Sequence, residues 1–476
     1  STMMEILGYA VAGAPFVVAG VTLLGLGWSA TRTGVATLLA VLAAALFWPA
    51  LESRGLWGTL FEGLGTIGNA LYVLVGGLLL YNVLSAGGAV EEVSRFLGRL
   101  EPERKALALL IVLGAAPFFE SVTGFGVAVV ISAPILLSAG FTRLKAAVLA
   151  SWGQLTVPWG ALGVGTLIGA DLAGLTFGEL SDASALLSLP LFLIYGVAAV
   201  MLAGGWDGVK RRGFEAAYVS LVAGTGVLLN SLYLVPELSG AVGSLLAVGI
   251  FLARRVGRLR GLSVPGRALA PYGLLLALLA VANGVGPVRT ALDILGPVFA
   301  GPGPWLVVSA GFAALLLKLG SKDAASATGK TIGQWLPVAG AILAFILAGQ
   351  VMATSGAAGL LASGVAGASG GAYPVFAPLV GALGGGLTGS NSGSNALFMS
   401  FQVEAAATSG SPELALAALQ NVAGSQANLL APQRLALAAT ATGLLGREAK
   451  IARAISPPVI ISIAVLILLD ALLGLS

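Results

Sequence analysis

Long uninterrupted apolar runs constrain this chain more than any other feature. Five of them cover residues 10–27, 34–50, 64–84, 268–282 and 459–473. A helix needs about 20 apolar residues to cross the roughly 30 Å hydrocarbon core of a bilayer. Only 9% of the 476 residues are charged, whereas about a quarter are charged in a soluble protein, which must cover a water-exposed surface. The pattern excludes a soluble enzyme and predicts an all-α polytopic membrane protein.

Residue counts exclude several kinds of site. The chain has no His and no Cys, so it cannot build a Ser-His-Asp triad, a histidine zinc site or a thiol nucleophile. It contains no GxxxxGK[ST] phosphate loop. The basic residues lie mostly in short loops between apolar runs, which is the positive-inside pattern of a membrane protein and not a nucleic-acid surface. We therefore predict no enzyme activity, no cofactor, no metal and no nucleic-acid partner.

Charge placement sets the orientation of the predicted spans. The basic clusters at 210–212 and 254–267 are placed on the cytoplasmic side. Counting crossings from these clusters leaves segment 105–140 with both ends inside and segment 373–409 with both ends outside. Segment 105–140 could also be two full spans. Because the apolar arms are short, we predict re-entrant hairpins whose polar tips are buried at mid-membrane.

Each predicted hairpin is followed by a span that is interrupted near its middle, at 144–170 and 411–445. Glu120 lies 38 positions before Pro158, and Asn395 lies 37 positions before Pro432. One hairpin opens inside and the other outside, which predicts an inverted repeat with a substrate site at the midplane. The single membrane unit, 1–476, is then divided into a first repeat 57–204, connecting or scaffold helices 205–332 and a second repeat 333–476.

Two ionisable residues stand out at the tips and breaks. Glu120 lies within a long apolar run, where a carboxyl resists ionising and suits proton coupling. The alternative is a structural Glu that accepts from free backbone N–H groups at the tip. Arg434 follows the second break, and it could bind a substrate carboxylate in a bidentate manner. The alternatives are that Arg434 snorkels to the interface or pairs with a Glu.

Polar side chains at the same places complete the predicted site. Residues 388–395 hold six hydroxyl or amide side chains in eight positions. Such oxygens, with the free backbone groups of broken helices, coordinate a small ion or a carboxylate; an exposed loop is the alternative. The predicted substrate-binding residues are Ser121, Thr123, Gly124, Gln154, Thr388, Gly389, Ser390, Asn391, Ser394, Asn395, Gln426, Asn428, Gln433 and Arg434.

The motifs at 114–126, 387–398 and 431–433 together resemble the bacterial lactate permease family. That family in turn is similar to the wider ion-transporter superfamily of inverted-repeat elevator carriers. The resemblance implies an elevator-type carrier that takes up L-lactate, and often glycolate, with a proton. By position it points to Glu120, Gly124, Phe125 and Gly126 in the first hairpin, to Thr388, Gly389, Ser390, Asn391, Ser394 and Asn395 in the second, and to Pro432 and Gln433 at the second break.

The leading hypothesis is a secondary carrier that imports a small 2-hydroxymonocarboxylate by proton symport across the inner (plasma) membrane. Two alternatives stay open. One is a Na⁺-coupled carrier of another organic anion, because a Ser/Asn-rich tip with carbonyls also suits Na⁺. The other is a passive anion uniporter or channel. The predicted partners are the organic anion, H⁺ as the coupling ion and the lipid bilayer, and the sequence leaves a homodimer open.

Overall fold

The computed structural model of the chain describes residues 2–48, 55, 58, 61, 64–255, 262–369 and 372–473. These described residues form helices and turns, with no strand among them. Nine of the described helices are long and apolar enough to cross a bilayer, or up to ten if a bent pair counts as one span. The all-α polytopic membrane protein is therefore confirmed. Most of 57–63, where the first repeat is predicted to begin, lies outside the described residues, as do Arg258 and Arg260 of the second basic cluster.

The helices of the first half are α1 Thr2–Gly20, which continues as the π-helical turn Val21–Gly25, α2 Ala30–Phe47, α3 Leu64–Ala86, α4 Ala89–Leu100, α5 Arg104–Thr123, α6 Val127–Ser138, α7 Arg143–Trp152, α8 Val164–Ala173 and α9 Phe177–Tyr233. The remaining helices are α10 Ser239–Arg255, α11 Gly266–Gly284, α12 Gly286–Leu295, α13 Pro297–Ala300, α14 Gly303–Leu316, α15 Ser321–Thr354, α16 Ala357–Ser369, α17 Tyr373–Thr388, α18 Asn391–Ser409, α19 Glu413–Ala427, α20 Pro432–Thr442 and α21 Glu448–Leu473.

Helix α9 runs over 57 residues and is kinked at Gly205. The backbone of Gly205 has φ 62° and ψ −155°, a region open essentially to glycine alone. The helix begins at Phe177 because Thr176 and Glu179 form a capping box. The Thr176 hydroxyl accepts from the Glu179 N–H at 3.2 Å, and the Glu179 carboxylate accepts from the Thr176 N–H at 2.8 Å. Two otherwise unpaired N–H groups of the first turn are satisfied in this way.

Amphipathic helix α4 was not among the predicted spans. Its buried residues Val93, Phe96, Leu97 and Leu100 recur at helical spacing, while Glu92 on the other face is exposed. Such a helix has one apolar stripe and a charged remainder. A search for uninterrupted apolar runs therefore does not find it.

Each predicted hairpin is a helix–turn–helix pair. Helix α5 ends because Gly124 has φ 69° and ψ −156°, again a conformation for glycine. Helix α17 ends at Gly389, which is left-handed with φ 61°. Helix α18 then begins after Ser390, whose hydroxyl accepts from the Gly393 N–H at 3.4 Å. The turn chemistry therefore positions both tips within the predicted segments.

Both predicted broken spans are interrupted where the sequence indicates. Helices α7 and α8 are joined through the 3₁₀ turn Val157–Gly163, and the axis bends by 72° between them. Helices α19 and α20 are joined through the 3₁₀ turn Asn428–Leu430. Helix α20 starts with Pro432, which lacks the N–H that a first helical position leaves unpaired anyway.

The packing of these pieces brings the tips and breaks together. The end of α5 packs against the turn Val157–Gly163, α18 packs against α8, and α20 packs against α6. Elements of the two halves therefore interlock. Helix α15 packs against α2, α3 and α18, and so covers one side of the region where the tips meet.

Candidate functional site

The tip of the first hairpin packs directly against the first break. A Cβ atom at Gly124 would lie only 2.8 Å from the Cβ of Ala161, so a larger residue does not fit. Phe125, Ala161 and Leu162 all have positive φ, at 57°, 48° and 56°. Strain of this kind in residues with a side chain costs about 1–3 kcal/mol each and clusters at functional sites. The strained contact therefore marks this place as a candidate site.

Glu120 and Arg434 form a buried ion pair across the two halves, although 314 positions separate them in the chain. Arg434 Nη1 lies 3.3 Å from Glu120 Oε1 and donates to Gln154 Oε1 at 2.5 Å. The second oxygen of Glu120 accepts from the Gly126 N–H at 3.1 Å. The Glu120 and Arg434 side chains are 2% and 13% exposed. Removing one partner of such a buried pair leaves an uncompensated charge, which costs about 3–5 kcal/mol.

Two side chains of α20 hold the turn of the second hairpin. Gln433 Nε2 donates to Thr388 O, and Arg434 Nε donates to Gly389 O at 3.0 Å. A Cβ atom at Gly389 would lie 2.1 Å from Gln433 Nε2, so the contact requires glycine. Arg434 therefore bonds to both hairpins and to the first break.

A cavity of about 410 Å³ lies where the two tips, the two breaks and α15 meet. Part of its wall is apolar, from Leu74 of α3 and from Ile342 and Phe345 of α15. The first residues of α8, α18 and α20 also border it, and helix N-termini attract anions through free N–H groups and the helix dipole. The predicted site residues that line the cavity are Glu120, Gly124, Thr388, Gly389, Ser390, Asn391, Gln433 and Arg434.

The other predicted residues are buried but do not line this cavity: Ser121, Thr123, Gln154, Ser394, Asn395, Gln426 and Asn428. Ser121 Oγ lies 3.1 Å from Thr156 Oγ1. Thr123 donates to the carbonyl of Phe119, one turn earlier in the helix, at 2.6 Å. Gln154 reaches the site only through its bond from Arg434.

Some buried polar side chains of the second half have hydrogen-bond partners, and others have atoms without one. Ser394 Oγ accepts from Gln420 Nε2 at 3.0 Å, and Asn395 Nδ2 donates to Gly165 O at 2.9 Å. In contrast, Gln426 Oε1 and both amide atoms of Asn428 are buried with no hydrogen-bond partner among the described residues.

Several residues at the cavity were not predicted. Ser392 and Gly393 line it, as do Ser29 and Thr31 of the α2 end. The apolar wall carries no sequence signal, because Phe345 reads like any lipid-facing or core residue of a span. Asn421 lies behind the cavity wall and was not predicted either, although its amide and that of Gln420 interrupt the otherwise apolar stretch 414–424.

Residues 9–256 and 287–474 match the family model described as L-lactate permease. The chain belongs to this family. The match includes both hairpins and both breaks, and therefore both Glu120 and Arg434. The resemblance seen in the motifs is confirmed, and the chain is a multi-pass integral membrane protein of a permease family, not of an enzyme family.

Curated relatives cover most of the chain. It is 26% identical to the L-lactate permease of Escherichia coli strain K12, over 90% of this chain and 88% of that protein. It is also 26% identical to the glycolate permease of the same strain, over 80% of each protein. Among solved structures, it is similar to the Neisseria gonorrhoeae antimetabolite efflux pump MtrF, with a TM-score of 0.49 and 14% identity over 92% of this chain and 93% of that one.

Proposed function

We propose that this chain imports L-lactate, with glycolate as a further substrate, together with a proton across the inner (plasma) membrane. One observation carries this function: the Glu120–Arg434 ion pair at the cavity wall. The names of the relatives support the substrate class, because they include L-lactate and glycolate permeases.

The charge of the pair explains how substrate and proton would be coupled. When the site is empty and Glu120 is ionised, Glu120 and Arg434 neutralise each other. When Glu120 takes up a proton, Arg434 loses its anion and can bind the substrate carboxylate, so the loaded site is neutral again. A proton alone would leave a net positive charge, and substrate alone a net negative charge. Moving either charge through the membrane interior is costly, so both ligands cross together or neither does.

The cavity offers one place for each part of a 2-hydroxymonocarboxylate. Arg434 and the helix N-termini suit a single carboxylate. The hydroxyl and amide groups of Ser390 and Asn391 suit a polar substituent, while Leu74 and Phe345 suit an alkyl group. Because one Arg is found among the described residues that line the cavity, a monocarboxylate is matched better than a dicarboxylate.

The proposed movement is of the elevator type. The repeats 57–204 and 333–476, joined by the connecting helices 205–332, would each supply a re-entrant hairpin and a broken span to one moving body. Packing of α8 on α18 and of α6 on α20 supports this, because it ties the two repeats together at the tips.

Two cavities support alternating access. The first is bordered by residues 29–31, next to Arg32, a basic residue in a short loop between two apolar runs, which we place on the cytoplasmic side. A second cavity, of about 240 Å³, is bordered by Ala282, Arg289 and Pro302, at the opposite end of α11 from Arg267. Val164 lines both cavities. The structure thus corresponds to an inward-facing state in this proposal, with the second cavity marking where the site would open outside.

Replacing Glu120 by Gln tests the coupling. Gln mimics the protonated carboxyl, so the loaded site stays neutral but the empty site keeps the unpaired charge of Arg434. In proteoliposomes, Glu120→Gln should lose accumulation of labelled L-lactate driven by an imposed pH gradient and retain counterflow exchange. Asp171→Asn, an exposed carboxyl at the far end of α8, serves as the matched control and should keep both activities.

The same measurement separates the alternatives. Accumulation by Glu120→Gln with a normal pH dependence would exclude Glu120 as the proton carrier. If an imposed Na⁺ gradient then drove uptake without a pH gradient, Na⁺ coupling would replace proton coupling. Uptake that never exceeds the external concentration would indicate a uniporter or a channel.

A further inference from the structure

Asn421 lies at the centre of a buried amide network behind the second tip. Its Oδ1 accepts from Asn391 Nδ2 and from Asn395 Nδ2, each at 2.8 Å. Its Nδ2 donates to Thr166 Oγ1 at 3.0 Å and to Ser184 Oγ at 2.9 Å. The side chain therefore uses both of its donors and both lone pairs, and it joins hairpin α17–α18 to α8 and α9.

Two backbone carbonyls of the first broken span fix the direction of these amides. Asn395 Nδ2 also donates to Gly165 O at 2.9 Å, and because a carbonyl only accepts, the amide nitrogen must be on that side. The Thr166 hydroxyl has a single proton, which it donates to Pro158 O at 2.5 Å, whereas Asn421 Oδ1 is 3.4 Å away. Thr166 Oγ1 must then accept from Asn421. Both carbonyls therefore give Asn421 the same orientation, with its oxygen toward the second hairpin.

This orientation decides what Asn391 presents to a ligand. Asn391 has to turn its nitrogen toward Asn421 Oδ1, so its own Oδ1 is the group left over. That oxygen is buried and accepts from none of the described residues, although the residue lines the cavity. A buried acceptor without a donor costs about 1–3 kcal/mol. A ligand group that donates removes this cost, whereas a carbonyl or a carboxylate would bring a second acceptor and would not.

We propose that Asn391 Oδ1 accepts the hydrogen bond of the substrate's 2-hydroxyl group, and that Asn421 is the positioning residue that holds it in this orientation. The assignment rests on the proposed transport of a 2-hydroxymonocarboxylate and adds the group that recognises the hydroxyl. Pyruvate would present a carbonyl to Asn391 Oδ1, and propionate would present no polar group. A site built around a hydrogen bond rejects analogues that lack the bonding group.

The test is a thermal-shift titration of purified protein with L-lactate, pyruvate and propionate, which reports binding even in variants that no longer transport. The wild type should bind L-lactate at least about tenfold more tightly than the two analogues. In Asn391→Leu and Asn421→Leu this ratio should fall to about threefold or less, while the affinity for propionate should change by no more than about threefold.

Ser425→Ala is the matched control. Ser425 is buried on the same helix, and its hydroxyl donates to the backbone carbonyl of Asn421 at 2.7 Å and not to the side chain. This variant should keep the preference for L-lactate. Propionate binding shows in each variant that the site is folded, since propionate needs only the carboxylate contacts.

Three results would overturn the assignment. The first is a wild type that binds L-lactate and propionate equally. The second is an intact L-lactate preference in Asn391→Leu and Asn421→Leu. If Asn391→Leu then also loses the extra stabilisation by NaCl over choline chloride, Asn391 Oδ1 would be assigned to Na⁺ instead. The third is an equal loss of L-lactate and propionate binding in Asn421→Leu. Failure of the proposed function is a different result, in which none of the three acids stabilises the wild type.

Discussion

Replacing Arg434 by Gln or Lys tests the proposed binding of the substrate carboxylate by this residue. Arg434 donates from Nε to Gly389 O at 3.0 Å and from Nη1 to Gln154 and Glu120 at 2.5 and 3.3 Å. A hydrogen bond to a charged group contributes about 1.5–3 kcal/mol. Loss of about 2–3 kcal/mol of carboxylate binding in Arg434→Gln corresponds to a rise in KM of about 30- to 150-fold. Arg434→Lys keeps the charge but loses the planar fork, so we expect a rise of roughly tenfold.

The same pair predicts a stability pattern. Arg434→Gln leaves the buried Glu120 carboxylate with backbone N–H groups of Gly126 and Ala128 as partners but without its cation, so the folded state should lose about 3–5 kcal/mol. Adding Glu120→Gln removes the unpaired charge as well. The double variant should therefore melt at a higher temperature than Arg434→Gln, although it should not accumulate substrate.

The assay is counterflow of labelled L-lactate in proteoliposomes, together with melting temperatures of the purified proteins. Arg143→Gln is the control, because Arg143 donates to Gly443 O at 3.3 Å, outside the cavity. Its KM should stay within about twofold of the wild type, as expected for an exposed contact. An unchanged KM in both Arg434→Lys and Arg434→Gln would leave Arg434 a structural role. A double variant that melts no higher than Arg434→Gln would refute the electrostatic reasoning.

Three further outcomes are expected. Gly389→Ala should abolish uptake, because its Cβ would lie 2.1 Å from the Gln433 amide, whereas Gly410→Ala, also at positive φ but with nothing within 4 Å, should keep uptake and lose only about 1 kcal/mol of stability. Asn395→Ala should abolish uptake with little loss of membrane expression, since it removes the bonds to Gly165 and Asn421; wild-type uptake would contradict this. The chain has no Cys, so a membrane-impermeant maleimide should label Ser390→Cys from the cytoplasmic side and Asn283→Cys from outside. Labelling on the reversed sides would show that the orientation is wrong.

The turn and span structure could largely be predicted from sequence because its causes are local. Apolar length determines where a helix can cross a bilayer. Gly124 and Gly389 end the first arm of each hairpin through backbone conformations that belong to glycine. The polar stretches around Pro158 and Pro432 coincide with the two interruptions. Helix α4 was missed because it is amphipathic and therefore has no uninterrupted apolar run.

The roles of individual polar residues were harder to predict. Thr123 and Ser394 were expected to bind ligand, but Thr123 donates to the backbone one turn earlier and Ser394 accepts from Gln420. Ser and Thr in helices have such local partners available. Composition shows that a side chain is polar, and it does not show which of its possible partners the folded chain will supply.

The sequence by itself determined the fold class, the places of the two tips and breaks, and most of the polar residues that line the cavity. The tertiary structure decided how they combine. Arg434 meets Glu120 across 314 positions, Phe345 of α15 closes the apolar wall, and Asn421 joins the second tip to the first break. Periodicity and composition describe only the neighbours of a residue along the chain. Which helices pack together, and hence which charge faces which, depends on the side chains of both partners at once, and that information exists only in the folded molecule.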